Sequence, residues 1–177
     1  MKDELVLERI NRAKELNSRY GKQLKKEFEV ELKKLENAVE RTWSFMKDIG
    51  LPEMCGKCAE RGECCCRPWV AGLFDEYDLL LNCLLDVELP EKRDVKGLCF
   101  FVGKNGCRLK VRQVICVDFL CPDVEKKLGE KALRLREIEG EELELAFVLK
   151  EKIKKRIELL QVDLPHTSHV DDEEERP

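Results

Sequence analysis

All ten cysteines of this 177-residue chain fall between Cys55 and Cys121, and the residues on either side of that stretch have none. The spacing is C-x2-C-x5-C-C-C at Cys55, Cys58, Cys64, Cys65 and Cys66, then single residues at Cys83, Cys99, Cys107, Cys116 and Cys121. Thiols this dense are either ligands or disulfides, and both pin the chain between them into a small centre.

The length suffices for one domain with its own core, and nothing in the sequence calls for two. No apolar run approaches the roughly eighteen residues of a membrane span, and the N-terminus MKDELVLERI is charged, without a secretory signal. The expected location is therefore the cytoplasm, where thiols stay reduced and a dense cysteine pattern serves metals or catalysis more often than disulfides. A chain that is 40% charged and rich in Lys and Glu also matches hyperthermophile composition. The cytosol of such organisms tolerates disulfides, so that alternative stays open.

The net charge of -4 is set by the end of the chain, where residues 163–177 carry six acidic groups and one arginine; without them the chain is +1. The cysteine-bearing stretch holds ten basic and ten acidic residues, which leaves no electrostatic footprint for a phosphate backbone. Nucleic acid is not an expected partner.

Residues 3–49 read as helix, because Phe28, Leu32, Leu35, Val39, Thr42, Met46 and Ile49 recur in steps of four and three, the seam of a coiled coil. Ile10, Ala13, Leu16, Tyr20 and Leu24 continue the stripe across Asn17, Ser18 and Gly21, where a kink is expected. Gly50 and Pro52 end the helix. A second helical stretch covers 124–161, with Leu128, Leu135, Ile138, Leu145, Leu149, Ile153, Ile157 and Leu160 on one side and Gly129 and Gly140 weakening its first half. Neither stripe can be buried alone. The two should pack antiparallel on each other, or on a second copy or a partner protein. The last residues, VDLPHTSHVDDEEERP, lack periodicity and read as a disordered acidic tail. The expected organisation is an N-terminal amphipathic helix over 1–50, a cysteine module over 51–123, a C-terminal helical segment over 124–162 and a tail over 163–177. The fold class is mainly α with a small α+β centre.

Within the centre, Asp75 followed by EYDLLLNCLL predicts a capped helix through Leu85. LCFFV and CRLKV around Gly103-Lys104-Asn105-Gly106 predict a β-hairpin with Cys99 and Cys107 near its ends. VRQVICVDFLCP reads as a short helix ending at Pro122, with Cys116 and Cys121 at and just past its last turn. Hairpin and helix can then face the loop carrying Cys55–Cys66, with Trp69 and Phe74 as the core beneath it.

A C-x2-C pair lets two thiolates grip one ion from a tight turn while backbone amides hydrogen-bond the sulfurs. Four thiolates suit tetrahedral zinc and equally the corners of an iron–sulfur cluster. Such a set needs a cation, and binding should release protons and order an otherwise disordered loop. Arg67, Arg108 and Arg112 are candidates to stabilise the sulfurs, and Glu63 and Asp118 to orient a ligand; plain surface charge is the alternative for each. Cys83, inside LLLNCLL, reads as a small apolar residue rather than a ligand.

The succession CGKCAERGECCCRP, DEYDLLLNCL and GLCFFVGKNGCRLKVRQVICVDFLC resembles the YkgJ-type cysteine-cluster family, described as a zinc- or iron-chelating domain. The resemblance covers about residues 55–122. It implies a ligand set of Cys55 and Cys58 (first pair), Cys65 and Cys66 (vicinal pair), Cys99 and Cys107 (hairpin) and Cys116, with Cys121 as an eighth candidate and Cys64 as a spare. The family pattern, C-x2-C-x2-C-C with a later I-Y-x-x-R-P-x-x-C, is followed only in part. The gap after Cys58 is longer, Leu109-Lys110 stands for Ile-Tyr, and Arg112-Gln113 for Arg-Pro with one residue fewer before Cys116. A related group of flagellin lysine methylases carries a similar cluster, but nothing in this chain carries that activity over.

Gly103-Lys104-Asn105-Gly106 lacks the Lys-Ser/Thr and following helix of a phosphate-binding loop. The chain's two histidines, His166 and His169, lie in the tail, far from a cysteine that needs a base. Three functions remain: a protein that chelates zinc or iron, an iron–sulfur redox or methylation-related enzyme component with a [4Fe-4S] cluster as its candidate cofactor, and a disulfide-stabilised helical interaction protein.

Overall fold

The computed structural model describes residues 3–61, 64–103 and 106–162. The acidic tail, Glu63 and the two histidines lie outside the described residues.

The N-terminal stripe forms two helices, α1 (Asp3–Glu27) and α2 (Glu29–Asp48). Acidic residues open each and Lys25, Lys26 and Lys47 close them, in the sense that complements the helix dipole. No break falls at Asn17–Gly21. Gly21 is buried and its missing Cβ makes room for the Asn17 side chain, so α1 continues through it. The irregularity falls instead at Phe28, where the packing partner changes: α1 lies on α4 (Glu76–Leu84), while α2 lies on α7 (Glu130–Val162). Hydrogen bonds from Phe28 to Leu24 and from Leu32 to Phe28 persist on either side of it.

Gly50, at φ +72°, turns the chain after α2. Pro52 does more than end the preceding helix. It sits in the first turn of a new one, α3 (Leu51–Glu60), where its missing N–H costs nothing. A 3-10 turn (Pro68–Leu73) leads to α4, whose start is the predicted one: Asp75 accepts from the Tyr77 and Asp78 amides, and Asp78 accepts from the Asp75 amide. The hairpin is also present but shorter than expected, with Cys107 in its second strand and Cys99 three residues before its first. Strands β1 (Val102–Gly103) and β2 (Gly106–Cys107) pair antiparallel, with Val102 opposite Cys107 and Gly103 opposite Gly106. The helix expected before Pro122 shrinks to α5 (Val114–Val117), and Pro122 starts α6 (Pro122–Leu128) rather than stopping a helix. Gly129 breaks the chain between α6 and α7, whereas Gly140 lies within an unbroken α7.

The chain is thus mainly helical with one small hairpin. The two long stripes meet inside one chain: Glu27 pairs with Arg156, Glu31 with Lys152 and Arg41 with Glu141, so α2 and α7 run antiparallel. Two cores result. The larger joins α1, the first part of α2, α4, the segment around the hairpin and the second half of α7, with Phe74, Phe100 and Phe101 stacked edge to face at its centre. The smaller joins the end of α2, α3, α5, α6 and the start of α7 through Met46, Leu51, Val117, Val124 and Leu135. Phe74 is core as expected, but Trp69 is 50% exposed, because the 3-10 turn presents it outward while Val70 and Ala71 point in. Among the described residues, no helix is long and apolar enough to cross a membrane.

Asn82, fully buried, ties the centre together. Its amide nitrogen donates to the carbonyls of Asp78 (3.0 Å) and Val111 (2.9 Å), and its oxygen accepts from the amides of Lys110 (2.9 Å) and Val111 (3.1 Å). All four capacities of the side chain are used. Helix α4 is thereby fixed to the segment between Cys107 and Cys116.

Candidate metal centre

Cys55 and Cys58 do not sit in a tight turn. They occupy α3, three residues apart, a spacing that puts both on one face of the helix. Arg61, one turn on, donates from Nη2 to the Cys58 sulfur at 3.6 Å. The Cys55 thiol is pushed up to about 11 by burial and by the neighbouring thiols of Cys65, Cys64, Cys58 and Cys121. Cys55 and Cys121 both pack on the smaller core. Cys121 is the residue before α6 and makes no side-chain cap, so its sulfur is not engaged with the helix end.

Cys99, Cys107 and Cys116 form a second group. Cys99 is buried in the larger core and the other two pack against it. Burial raises all three thiols, and Cys116, with Cys107 and Cys99 beside it, reaches about 12. Backbone amides oppose this at each sulfur: those of Phe101 and Phe100 at Cys99, of Leu109 at Cys107 and of Gln113 at Cys116. These amides lie where they would stabilise a thiolate. Arg112 acts in the same sense on Cys107 and Cys116.

The run Cys64–Cys66 lies between the two groups. Cys66 packs against the larger core, and its carbonyl accepts from the Cys99 amide at 2.7 Å. Its thiol is raised, chiefly by its hydrogen bond to Cys65 and by burial. Cys65 is exposed, and that same hydrogen bond from Cys66, aided by its own amide, Cys64 and Arg67, draws it down to about 6 against the effect of burial. Cys64 is buried. Cys83 stands apart: it belongs to α4 and packs against the larger core, burial raises its thiol, and its charged neighbours are Lys14 and Lys25.

All ten cysteines are free thiols in the structure. Among the described residues, no three His, Cys, Asp or Glu side chains are arranged to hold one ion between them. The donors themselves are of the kind a soft cation takes, since they are free thiols and backbone amides lie at the sulfurs of Cys99, Cys107 and Cys116.

Of the three arginines expected near the sulfurs, Arg67 does face Cys65, but Arg108 turns away to pair with Asp94. Arg112 is buried between the cores. Its guanidinium stacks on Trp43, its Nη atoms reach the Met46 sulfur, and Nη2 lies 3.9 Å from Oε1 of Glu142. Asp118 does not orient a cysteine; it pairs with Arg136 at 3.4 Å and faces Glu139.

Glu139 and Glu142 were not anticipated. Each is 1% exposed, on the face of α7 turned to α2 and α5. Among the described residues, no N–H or O–H donor reaches either oxygen of Glu139, and its neighbour is the Asp118 carboxylate. Two carboxylates can join only through a shared proton. Burial first, then Asp118 and Glu142, hold the Glu139 carboxyl up at about 8.

No family model, curated protein or solved structure matches this chain. The likeness to the YkgJ-type pattern therefore rests on the quoted motifs alone.

Proposed function

We propose that this chain is a metal-binding protein whose cysteine module chelates zinc or iron. The observation that supports the reading is the proximity of free thiols from separate parts of the chain: Cys55 of α3 has Cys64, Cys65 and Cys121 for neighbours, and Cys116 of α5 has Cys99 and Cys107. A bound cation would supply the positive charge that keeps the sulfurs deprotonated at neutral pH.

The chain's own residues prepare for that state. The amides of Phe101, Leu109 and Gln113 donate toward sulfurs that burial otherwise keeps protonated. Arg61, Arg67 and Arg112 bring positive charge to Cys58, Cys65 and the Cys107–Cys116 pair. The reading supposes a reducing compartment, the cytoplasm, in which these thiols stay free.

Elemental analysis with a visible spectrum, on protein purified without air, tests it. Zinc or iron in whole-number ratio to the chain is the expected result. Failure to bind either ion after anaerobic reconstitution would overturn the reading. Iron accompanied by acid-labile sulfide would replace a chelated ion with a cluster.

A further inference from the structure

The turn between α5 and α6 forms a hollow with the start of α7. Val114, Ile115, Asp118, Phe119, Leu120 and Arg136 line a space of about 260 Å³ that opens to solvent. No cysteine lines it, so whatever it holds is independent of the thiols. Val114 and Phe119 are large apolar side chains left facing water at its rim.

The polar end of the hollow is short of donors. Asp118 has Arg136 at 3.4 Å, and that guanidinium is shared with Glu125 at 2.8 Å. Against Asp118 from the protein side stands Glu139, 1% exposed, with neither oxygen hydrogen-bonded to an N–H or O–H donor among the described residues. Glu142, three residues on and equally buried, also has both oxygens without a hydrogen bond, and the Arg112 guanidinium is 3.9 Å away. Carboxyl groups thus outnumber the guanidinium groups beside them by four to two among the described residues. Buried acceptors without donors are costly, so a ligand that brings N–H groups and positive charge gains here.

A bare metal ion is a poor match, because among the described residues no three His, Cys, Asp or Glu side chains converge on one point. A quaternary ammonium brings charge but no donors. A primary ammonium brings both, with three N–H groups on one nitrogen. We propose that the hollow binds a small primary alkylamine in its ammonium form, with its N–H groups on Asp118 and Glu139 and its alkyl chain against Val114, Phe119 and Leu120. The proton that the two carboxyls otherwise share passes to solvent. The ring of Phe119 adds a face that a cation favours. The space is just under that of ordinary small-molecule sites, which suits a free amine of a few heavy atoms.

The experiment is a calorimetric titration of the full-length chain with n-butylammonium chloride at constant ionic strength, with amide chemical shifts followed by NMR. One saturable site is expected, with shifts centred on residues 114–120 and 136–139. Two probes with the same chain, n-butanol without the charge and butyltrimethylammonium without the N–H donors, should each bind about tenfold more weakly. Glu139→Gln and Phe119→Ala should each weaken the amine by about the same factor. Glu151→Gln, an exposed change elsewhere on α7, should bind it as the wild type does. A wild type without saturable binding overturns the proposal, and that measurement needs no variant. Butyltrimethylammonium binding as tightly as butylammonium overturns it as well, as does a folded Glu139→Gln or Phe119→Ala variant of undiminished affinity.

Discussion

The guanidinium of Arg112 lies over the Trp43 ring, 4.2 Å from its centre, and closes the space between α2 and the segment that carries Cys107 and Cys116. The Glu142 carboxylate 3.9 Å away supplies opposite charge, and neither group has water access to speak of. A buried pair of this kind is worth little relative to an apolar replacement, yet breaking it strands a charge.

Arg112→Ala should therefore cost about 3–5 kcal/mol, since it leaves Glu142 buried without a cation and Trp43 without its stacking partner. Arg112→Met combined with Glu142→Met should recover most of that loss. Urea denaturation of the single and double variants checks both statements. Equal destabilisation in the two would mean that volume, not charge, is what Arg112 contributes.

Glu139 makes stability depend on pH. Its carboxyl titrates near 8 when folded, against an ordinary value of 4.5, so the folded state binds more protons between those limits. The stabilisation is complete below about 4.5, falls as pH rises through 8 and is gone above it. Since each pKa unit is worth about 1.4 kcal/mol, the full effect is on the order of a few kcal/mol. The groups facing Glu139 are Asp118, Glu142 and Arg136, and none reverses this sign. Thermal midpoints between pH 5 and 9 should drop less steeply in Glu139→Gln than in the wild type. Parallel slopes would show that Glu139 is ionised throughout.

Asn82→Leu should be among the most damaging single changes. It removes four hydrogen bonds and leaves the amides of Lys110 and Val111 and the Val111 carbonyl without that partner. At about 1–3 kcal/mol for each buried group left unsatisfied, a loss of several kcal/mol is expected. The midpoint of a denaturant transition reads it directly.

In metal-free protein, Cys65 should alkylate first. It is the exposed member of the run, and its thiol is drawn down to about 6 by the Cys66 hydrogen bond, while Cys55 and Cys116 stand near 11 and 12. Peptide mapping after brief iodoacetamide treatment at pH 7 should find the label there before any other cysteine. Cys66→Ala should slow the reaction, because it removes the donor.

The long helices and the start of α4 were legible in the sequence because their signals are local: a stripe with helical period, and an acidic cap three residues before its partner Asp78. The hairpin was legible for the same reason, through its glycine-flanked turn. What escaped depends on neighbours far along the chain. Gly21 reads as a weak point until Asn17 is seen filling its space. Cys55 and Cys58 suggested a turn, although an x2 spacing serves a helix face equally well. Glu139 and Glu142 carry no signal in the sequence, since nothing in the residues around them announces Asp118 or Arg112. The division of the cysteines by packing was hidden most completely, because adjacent residues such as Cys65 and Cys66 differ only in which way they face.

Cys83 gives the molecule a clock. It shares the chain with the other nine thiols but has Lys14 and Lys25 as charged neighbours and the α1–α4 packing as cover. Half-buried and with its thiol raised by burial, it labels faster once that helix pair opens, and it is indifferent to what the cysteine module holds. Read beside the other nine in one sample, it separates release of a ligand from unfolding of the protein without a probe being added.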